Sequence, residues 1–183
     1  MTRIFAVLLL TAAAVPAQAD DVSDLMESAL KAYEDGDIQY ALDELDMARA
    51  KLLEMKTASL GSFLPDAPDG WTREVNSEMN AGLAMMGGGV GAEATYTSPE
   101  GERIKITLMA DNPMVMSMSG MIANAAMMGM KTERIQRQKF AIQDKQMMAL
   151  IANRILIQTE GEPDKTRPLL EQIDFTEMSQ FGL

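Results

Sequence analysis

The chain contains no cysteine and no histidine. Without cysteine there is no disulfide to support the fold and no thiol nucleophile. Without histidine the commonest general base and metal ligand are gone. The Ser-His-Asp triad and zinc sites built on His or Cys go with them. Basic residues are scarce: 16 Lys and Arg against 27 Asp and Glu give a formal charge of −11. A polyanion repels phosphate backbones, which argues against a nucleic-acid partner. The run Gly87-Gly88-Gly89-x-Gly91 is not followed by Lys-Ser/Thr, and GxGxxG is absent, so no phosphate loop is expected. Asp35-x-Asp37 lacks the spacing of a calcium-binding EF-hand loop. The acid pairs Asp66/Asp69 and Glu100/Glu102 fall in linker and turn sequence, with no apolar setting to shift their pKa values for acid–base work. With no nucleophile–base pair and no cofactor fingerprint, the chain is expected to be non-catalytic.

The first nineteen residues are the most directly readable part of what is present. Met1-Thr2-Arg3 is a short positive start, Ile4 to Val15 is uncharged and apolar, and Pro16-Ala17-Gln18-Ala19 ends in a small-x-small cleavage pattern. These parts stand in the order of a secretory signal peptide. The run is too short for a comfortable membrane span, and no cysteine follows to carry a lipid. The expectation is a periplasmic protein cut after Ala19, with no integral span in the mature chain. Cutting there removes one Arg and no acids, leaving 15 basic residues against 27 acidic ones, a charge of −12 over residues 20–183. That length suits one ordinary domain with a small appendage.

Residues 20–58 read as an acidic helical hairpin. Leu25, Ala29, Ala32 and Tyr33 form one helical stripe, Asp35-Gly36-Asp37 breaks it, and Ile38, Ala41, Leu42, Leu45, Ala48 and Leu52 form the next. Gly36 suits a left-handed C-cap. Ten acids between residues 20 and 46 face only Lys31. They read either as a solvated, solubilising surface or as a docking face for a basic partner, with Asp24, Glu27, Asp35, Asp37, Asp43 and Asp46 as its candidates. Leu25, Ala29, Ala32, Gly36, Ile38, Ala41, Leu45 and Ala48 sit where a tetratricopeptide motif has its large, small and turn residues, so residues 22–55 resemble one such repeat. Leu25 replaces the early aromatic of that motif and Leu53 its closing proline. No second copy follows, and such repeats need neighbours to bury their faces. The hairpin must therefore pack on its own C-terminal domain, on another copy of itself or on a partner.

Residues 59–70, with two prolines and two glycines, read as a linker. Residues 71–183 read as an α+β domain. Strands are expected over 71–78, 92–98, 102–110, 134–142, 146–151 and 154–159, with a flexible, uncharged stretch over 80–91. Ile104, Ile106 and Leu108 share one strand face, and Arg103, Lys105 and Thr107 the other. Asn112-Pro113 is an N-cap followed by an N1 proline, opening a helix to about Met130. A last helix spans 165–181, with Leu169, Leu170, Ile173, Phe175, Met178 and Phe181 as core candidates. Trp71 is read as a core anchor rather than a stacking platform. The order of elements predicts a helical hairpin followed by an antiparallel sheet with helices packed on one face. The opening Leu-Pro-x-x-Pro-x-Gly-Trp, the hairpin and the late helix resemble, in outline over residues 63–183, the Mog1/PsbP-like domains. These serve many binding roles, so the resemblance implies a fold and no activity.

Methionine is abundant: eight of 18 lie between Met109 and Met130. Three readings apply. Methionine fills irregular core gaps. It also lines adaptable apolar grooves for a hydrophobic ligand or partner, here Met85, Met86, Met114, Met118 and Met121. Finally, its thioether is the only soft ligand in this chain, and soft ligands select Cu(I) or Ag(I). Met114, Met118 and Met121, at i, i+4 and i+7, would supply such a site from one helix face. The uncharged stretch 112–130 approaches membrane-span length, but its Asn, Ser, Gly and Pro content makes it a poor span. The resulting expectation is a periplasmic binding or adaptor protein using the acidic hairpin and a Met-rich surface. Cu(I) or Ag(I) binding is the alternative, and otherwise no cofactor is expected.

Overall fold

The computed structural model describes residues 18–76, 79–85 and 88–182. The signal-peptide reading of residues 1–19 falls almost wholly outside them, as does Met86. The chain divides into two compact units, residues 1–52 and 53–183.

The first unit contains α1 (Gln18–Glu34) and the opening turns of α2 (Ile38–Gly61). Gly36, at φ +84°, reverses the chain between them, a conformation costly for any residue with a Cβ. The Gly36 N–H donates to the Tyr33 carbonyl and the Asp37 N–H to the Ala32 carbonyl, which satisfies two of α1's terminal acceptors. Asp37 then accepts from the Tyr40 N–H at 3.1 Å and caps α2. The buried positions are mainly small: Val22, Ala29, Ala32, Ala41, Ala48 and, unusually, Glu44.

The second unit is built on one seven-stranded sheet. Its elements are β1 (Thr72–Asn76), α3 (Met79–Met85), β2 (Val90–Thr97), β3 (Arg103–Ala110), α4 (Pro113–Ala123), β4 (Lys131–Ile135), β5 (Gln138–Gln143), β6 (Gln146–Ile151), β7 (Ile155–Glu160), α5 (Pro163–Leu170) and α6 (Phe175–Met178). The strand order is β1-β2-β3-β7-β6-β5-β4, and every pairing is antiparallel. Two meanders thus join at the β3–β7 pair, and α4 carries the chain from the centre to the far edge. The α+β class, with a helical pair ahead of an antiparallel sheet, is as the sequence predicts, but the sheet carries helices on both faces rather than one.

Strand alternation sorts the core into two layers. Ile104, Ile106 and Leu108 of β3, Met147, Ala149 and Ile151 of β6, and Ile155 and Ile157 of β7 point to one face. Leu169 and Leu170 of α5, Ile173, Phe175, Met178 and Phe181 cover that face, together with Leu60 at the end of α2. All six core candidates from the C-terminal segment are therefore in this layer. On the opposite face a smaller layer joins Val115 and Ile122 of α4 to Met148 and Leu156. The stretch 59–70 is tied to the sheet: Leu64 and Pro65 are buried, and the Tyr96 hydroxyl donates to the Pro65 carbonyl at 2.6 Å. Burial pushes the Tyr96 pKa up, partly opposed by the nearby Arg73. Trp71 packs half-buried against the same core.

Four local expectations are corrected. The 80–91 stretch is not wholly loop, because α3 occupies 79–85. Leu83 is buried, and Asn80 grips the Gly91 backbone twice, accepting from its N–H at 2.8 Å and donating to its carbonyl at 3.0 Å. Gly89 is also fixed: a Cβ there would stand 2.7 Å from the Ala110 carbonyl oxygen. The expected strand 134–142 is a hairpin, β4–β5, turning through Gln136 and Arg137, both at positive φ. The helix from Pro113 ends at Ala123, where Asn124 returns both its N–H and its side-chain amide to the Gly120 carbonyl. The final helix is two: residues 171–174 interrupt it, and Asp174 caps α6 by accepting from the Thr176 and Glu177 N–H groups, each at 2.9 Å. In the last three cases a side-chain cap or a sheet pairing outweighs the local periodicity.

Candidate functional site

The hairpin sequence places large apolar residues at helical spacing on both α1 and α2. Its small residues, however, take the buried positions. Met26, Leu30 and Tyr33 of α1 and Ile38, Leu42 and Leu45 of α2 are each between 47% and 65% exposed. They form the walls of a single groove of about 330 Å³ with Ala29 and Ala41 as its floor. Leu42 and Leu45, members of the α2 stripe, are half-exposed. Alanine at 29, 32, 41 and 48 fills the buried positions, and the larger side chains are left on the outer flanks. Burying a Leu side chain completely is worth about 1.5–3 kcal/mol, so six half-exposed ones leave substantial burial unrealised. Exposed apolar patches of this kind mark interaction surfaces.

The predicted acidic face lies on the same hairpin. Asp24, Glu27, Asp35, Asp37, Asp43 and Asp46 are all exposed. Two of them have intrahelical work: Asp37 caps α2, and Asp43 accepts from the Gln39 amide at 2.9 Å. Glu27, Glu34, Asp43 and Asp46 each follow a groove residue by one position. On a helix that sets them about 100° around the cylinder, on the flanks of the apolar seam. Helical periodicity alone names the residues of each stripe but not which of them form the seam. The signal available was the alternation of alanine with large side chains.

The methionine surface is divided. Met118 and Met121 are half-buried and pack against the second core layer, as gap-filling methionines do. Met114, on the same side of α4, is 41% exposed. Met85 ends α3. Met116, Met127 and Met128 are strongly exposed, the last two in turns beyond the helix. Asn112, itself buried, holds the start of α4 by accepting from the Met114 N–H at 2.8 Å and donating to the Gly88 carbonyl at 2.5 Å.

Two further concavities lie in the second unit. One, of about 680 Å³, is ringed by opposite charges that pair with one another: Lys105 with Glu160, Lys145 with Glu162, and Lys165 with Glu102. Glu162 raises the Lys145 pKa through its hydrogen bond and charge. The other, of about 730 Å³, lies between Met128, Met130, Lys131, Glu133, Asp144 and Asp164. Neither presents one sign of charge or a continuous apolar wall. Among the described residues no group of three or more His, Cys, Asp or Glu is arranged to hold a metal ion. No helix among them is long and apolar enough to cross a membrane. Asp66, Asp69, Glu100 and Glu102 are exposed.

Comparison of the chain with protein-family models, curated proteins and solved structures gives no match.

Proposed function

We propose that this is an exported, non-catalytic binding or adaptor protein that docks a protein partner in the groove of its helical hairpin. The observation that carries the reading is the convergence of six half-exposed large apolar side chains, from two helices, on one seam. The likeness of residues 22–55 to a tetratricopeptide repeat supports it, because a lone repeat has an uncovered face. A photo-crosslinking residue placed at Leu42 in the exporting cell tests it. The expected result is one discrete crosslinked species that disappears when Tyr33 and Leu45 are changed to Ser. Absence of any adduct at Leu42, with adducts formed elsewhere on the chain, would count against the reading.

A second reading is Cu(I) or Ag(I) capture by thioethers, favoured by the i, i+4, i+7 register of Met114, Met118 and Met121 on α4. Cu(I) titration under reducing conditions decides it. Affinity tighter than micromolar, lost when the three are changed to Leu, is the result it requires.

A further inference from the structure

We infer that the occupant of the hairpin groove is a basic amphipathic helix of a partner protein, lying along α1 and α2 as a third helix. The inference rests on the docking role proposed above and adds the partner's chemistry.

Shape and hydrogen bonding select a helix. The walls run from Met26 to Tyr33 on α1 and from Ile38 to Leu45 on α2. Seven residues of helix cover about 10 Å, two turns. That length accepts a helix presenting side chains at i, i+3 or i+4, and i+7. The floor is alanine, which lets a third helix approach to ordinary interaxial distance, with its ridge entering the seam. The groove runs along the last turns of α1 and the first two turns of α2. At the reversal between them the Asp35, Gly36 and Asp37 N–H groups donate to the Lys31, Tyr33 and Ala32 carbonyls, the Ile38 N–H to the Gly36 carbonyl and the Tyr40 N–H to the Asp37 carboxylate. A bound extended strand would find no backbone donors or acceptors there and would lose its hydrogen bonds to water. A helix arrives with its backbone already satisfied.

Charge selects the partner's sign. Glu27 and Glu34 flank the α1 wall, Asp43 and Asp46 flank the α2 wall, and Asp35 and Asp37 stand at the turn, all exposed. The basic residues of the hairpin are Lys31, Arg49, Lys51 and Lys56. Lys31 sits among the flanking acids and Arg49 beyond the Leu45 end. Between residues 20 and 46 there are ten acids and one base. A second copy of this hairpin, or an anionic membrane, would bring like charge against these flanks, whereas lysines and arginines bordering an apolar stripe would meet them in register. Such rim pairs contribute little affinity each but govern association rate and partner choice.

The test uses the full exported chain and a fluorescent amphipathic helix of leucine and lysine. Two control peptides accompany it: the same sequence with Lys changed to Glu, and a scramble without an amphipathic face. Binding is read by anisotropy at low and high salt, and self-association by sedimentation velocity. The expected result is binding of the lysine helix that weakens with salt. It should fall about tenfold or more in Leu42→Ser/Leu45→Ser and several-fold in Glu27→Gln/Asp46→Asn. All four positions are exposed, and circular dichroism verifies that each variant keeps its helices. Equal binding of the glutamate helix overturns the inference, as does binding of the scramble, or binding that survives the groove variant. Failure of all peptides to bind also overturns it, whether the chain is monomeric or forms a dimer that Leu42→Ser abolishes. None of these results removes a crosslink formed from Leu42 in the cell, so the broader docking role would fail only by its own test.

Discussion

The Lys56 ammonium stands 2.6 Å from the Asp111 carboxylate, tying the last turns of α2 to the residue that follows β3. Arg154 approaches the other carboxylate oxygen at 3.5 Å and donates to the Phe181 carbonyl, while Lys56 lies over the Phe181 ring. Asp111 therefore fastens four distant segments of the second unit. It does so at φ +55°, a left-handed conformation that Asp and Asn tolerate better than other side chains.

Burial alone would raise the Asp111 pKa, but the hydrogen bond and charge of Lys56 and the charge of Arg154 outweigh it and hold it below the ordinary value. A depressed folded-state pKa contributes stability that is present above the unfolded pKa and is lost as pH falls through the folded one. Asp111→Asn keeps the backbone conformation and removes the charge. Because the pair is about one-third exposed, the loss at neutral pH should be no more than about 1 kcal/mol. Urea denaturation should show that difference shrinking to nothing as pH drops below the carboxylate range. A difference independent of pH would mean that the charge is not what holds these segments.

Asn112 is buried and uses both ends of its amide, capping α4 and holding Gly88. Asn112→Ala removes the cap and leaves the half-buried Gly88 carbonyl without its donor, with an expected cost of about 2 kcal/mol. Asn112→Asp keeps the cap but not the donor, and its stability should fall between the two. Hydrogen exchange should speed up at the start of α4 and around Gly88 before it does in the sheet.

Mild peroxide followed by peptide mass spectrometry should order the methionines by exposure. Met127 (87% exposed), Met116 and Met128 should become sulfoxides first; Met147 and Met178, both fully buried, should be last. Early oxidation of Met147 would mean that the sheet core opens readily.

Export predicts a processed N-terminus. Fractionation of the producing cell should place the protein in the periplasm, and N-terminal sequencing should begin at Asp20. A chain that retains Met1 in the cytoplasm would remove the compartment on which the functional reading depends.

Much of the second unit is legible in the residue pattern. Alternation over Ile104–Ile106–Leu108 names the buried face of β3, and the apolar spacing from Leu169 to Phe181 names the core of the C-terminal segment although the helix there is broken. The β4–β5 turn is not legible, because Gln136 and Arg137 carry no turn chemistry. They accept positive φ because Ile135 and Phe140, on either side, are drawn into the core. The acidic flanks of the hairpin are also plain in composition, while the apolar seam between them is not. A helical stripe records which side chains share a face, and the alanines and the larger residues both satisfy that period.

By itself, then, the amino-acid order determined the chemistry open to this protein, the α+β class and the residues of each stripe. These follow from composition and local period, which neighbours in the chain set alone. Tertiary structure decided which members of a stripe are covered. It put Ala29 and Ala41 at the floor of the hairpin seam and left Leu42 and Leu45 half-exposed. Cover depends on close packing between segments, where a small side chain excludes a larger one from the same space, and no local period encodes that competition.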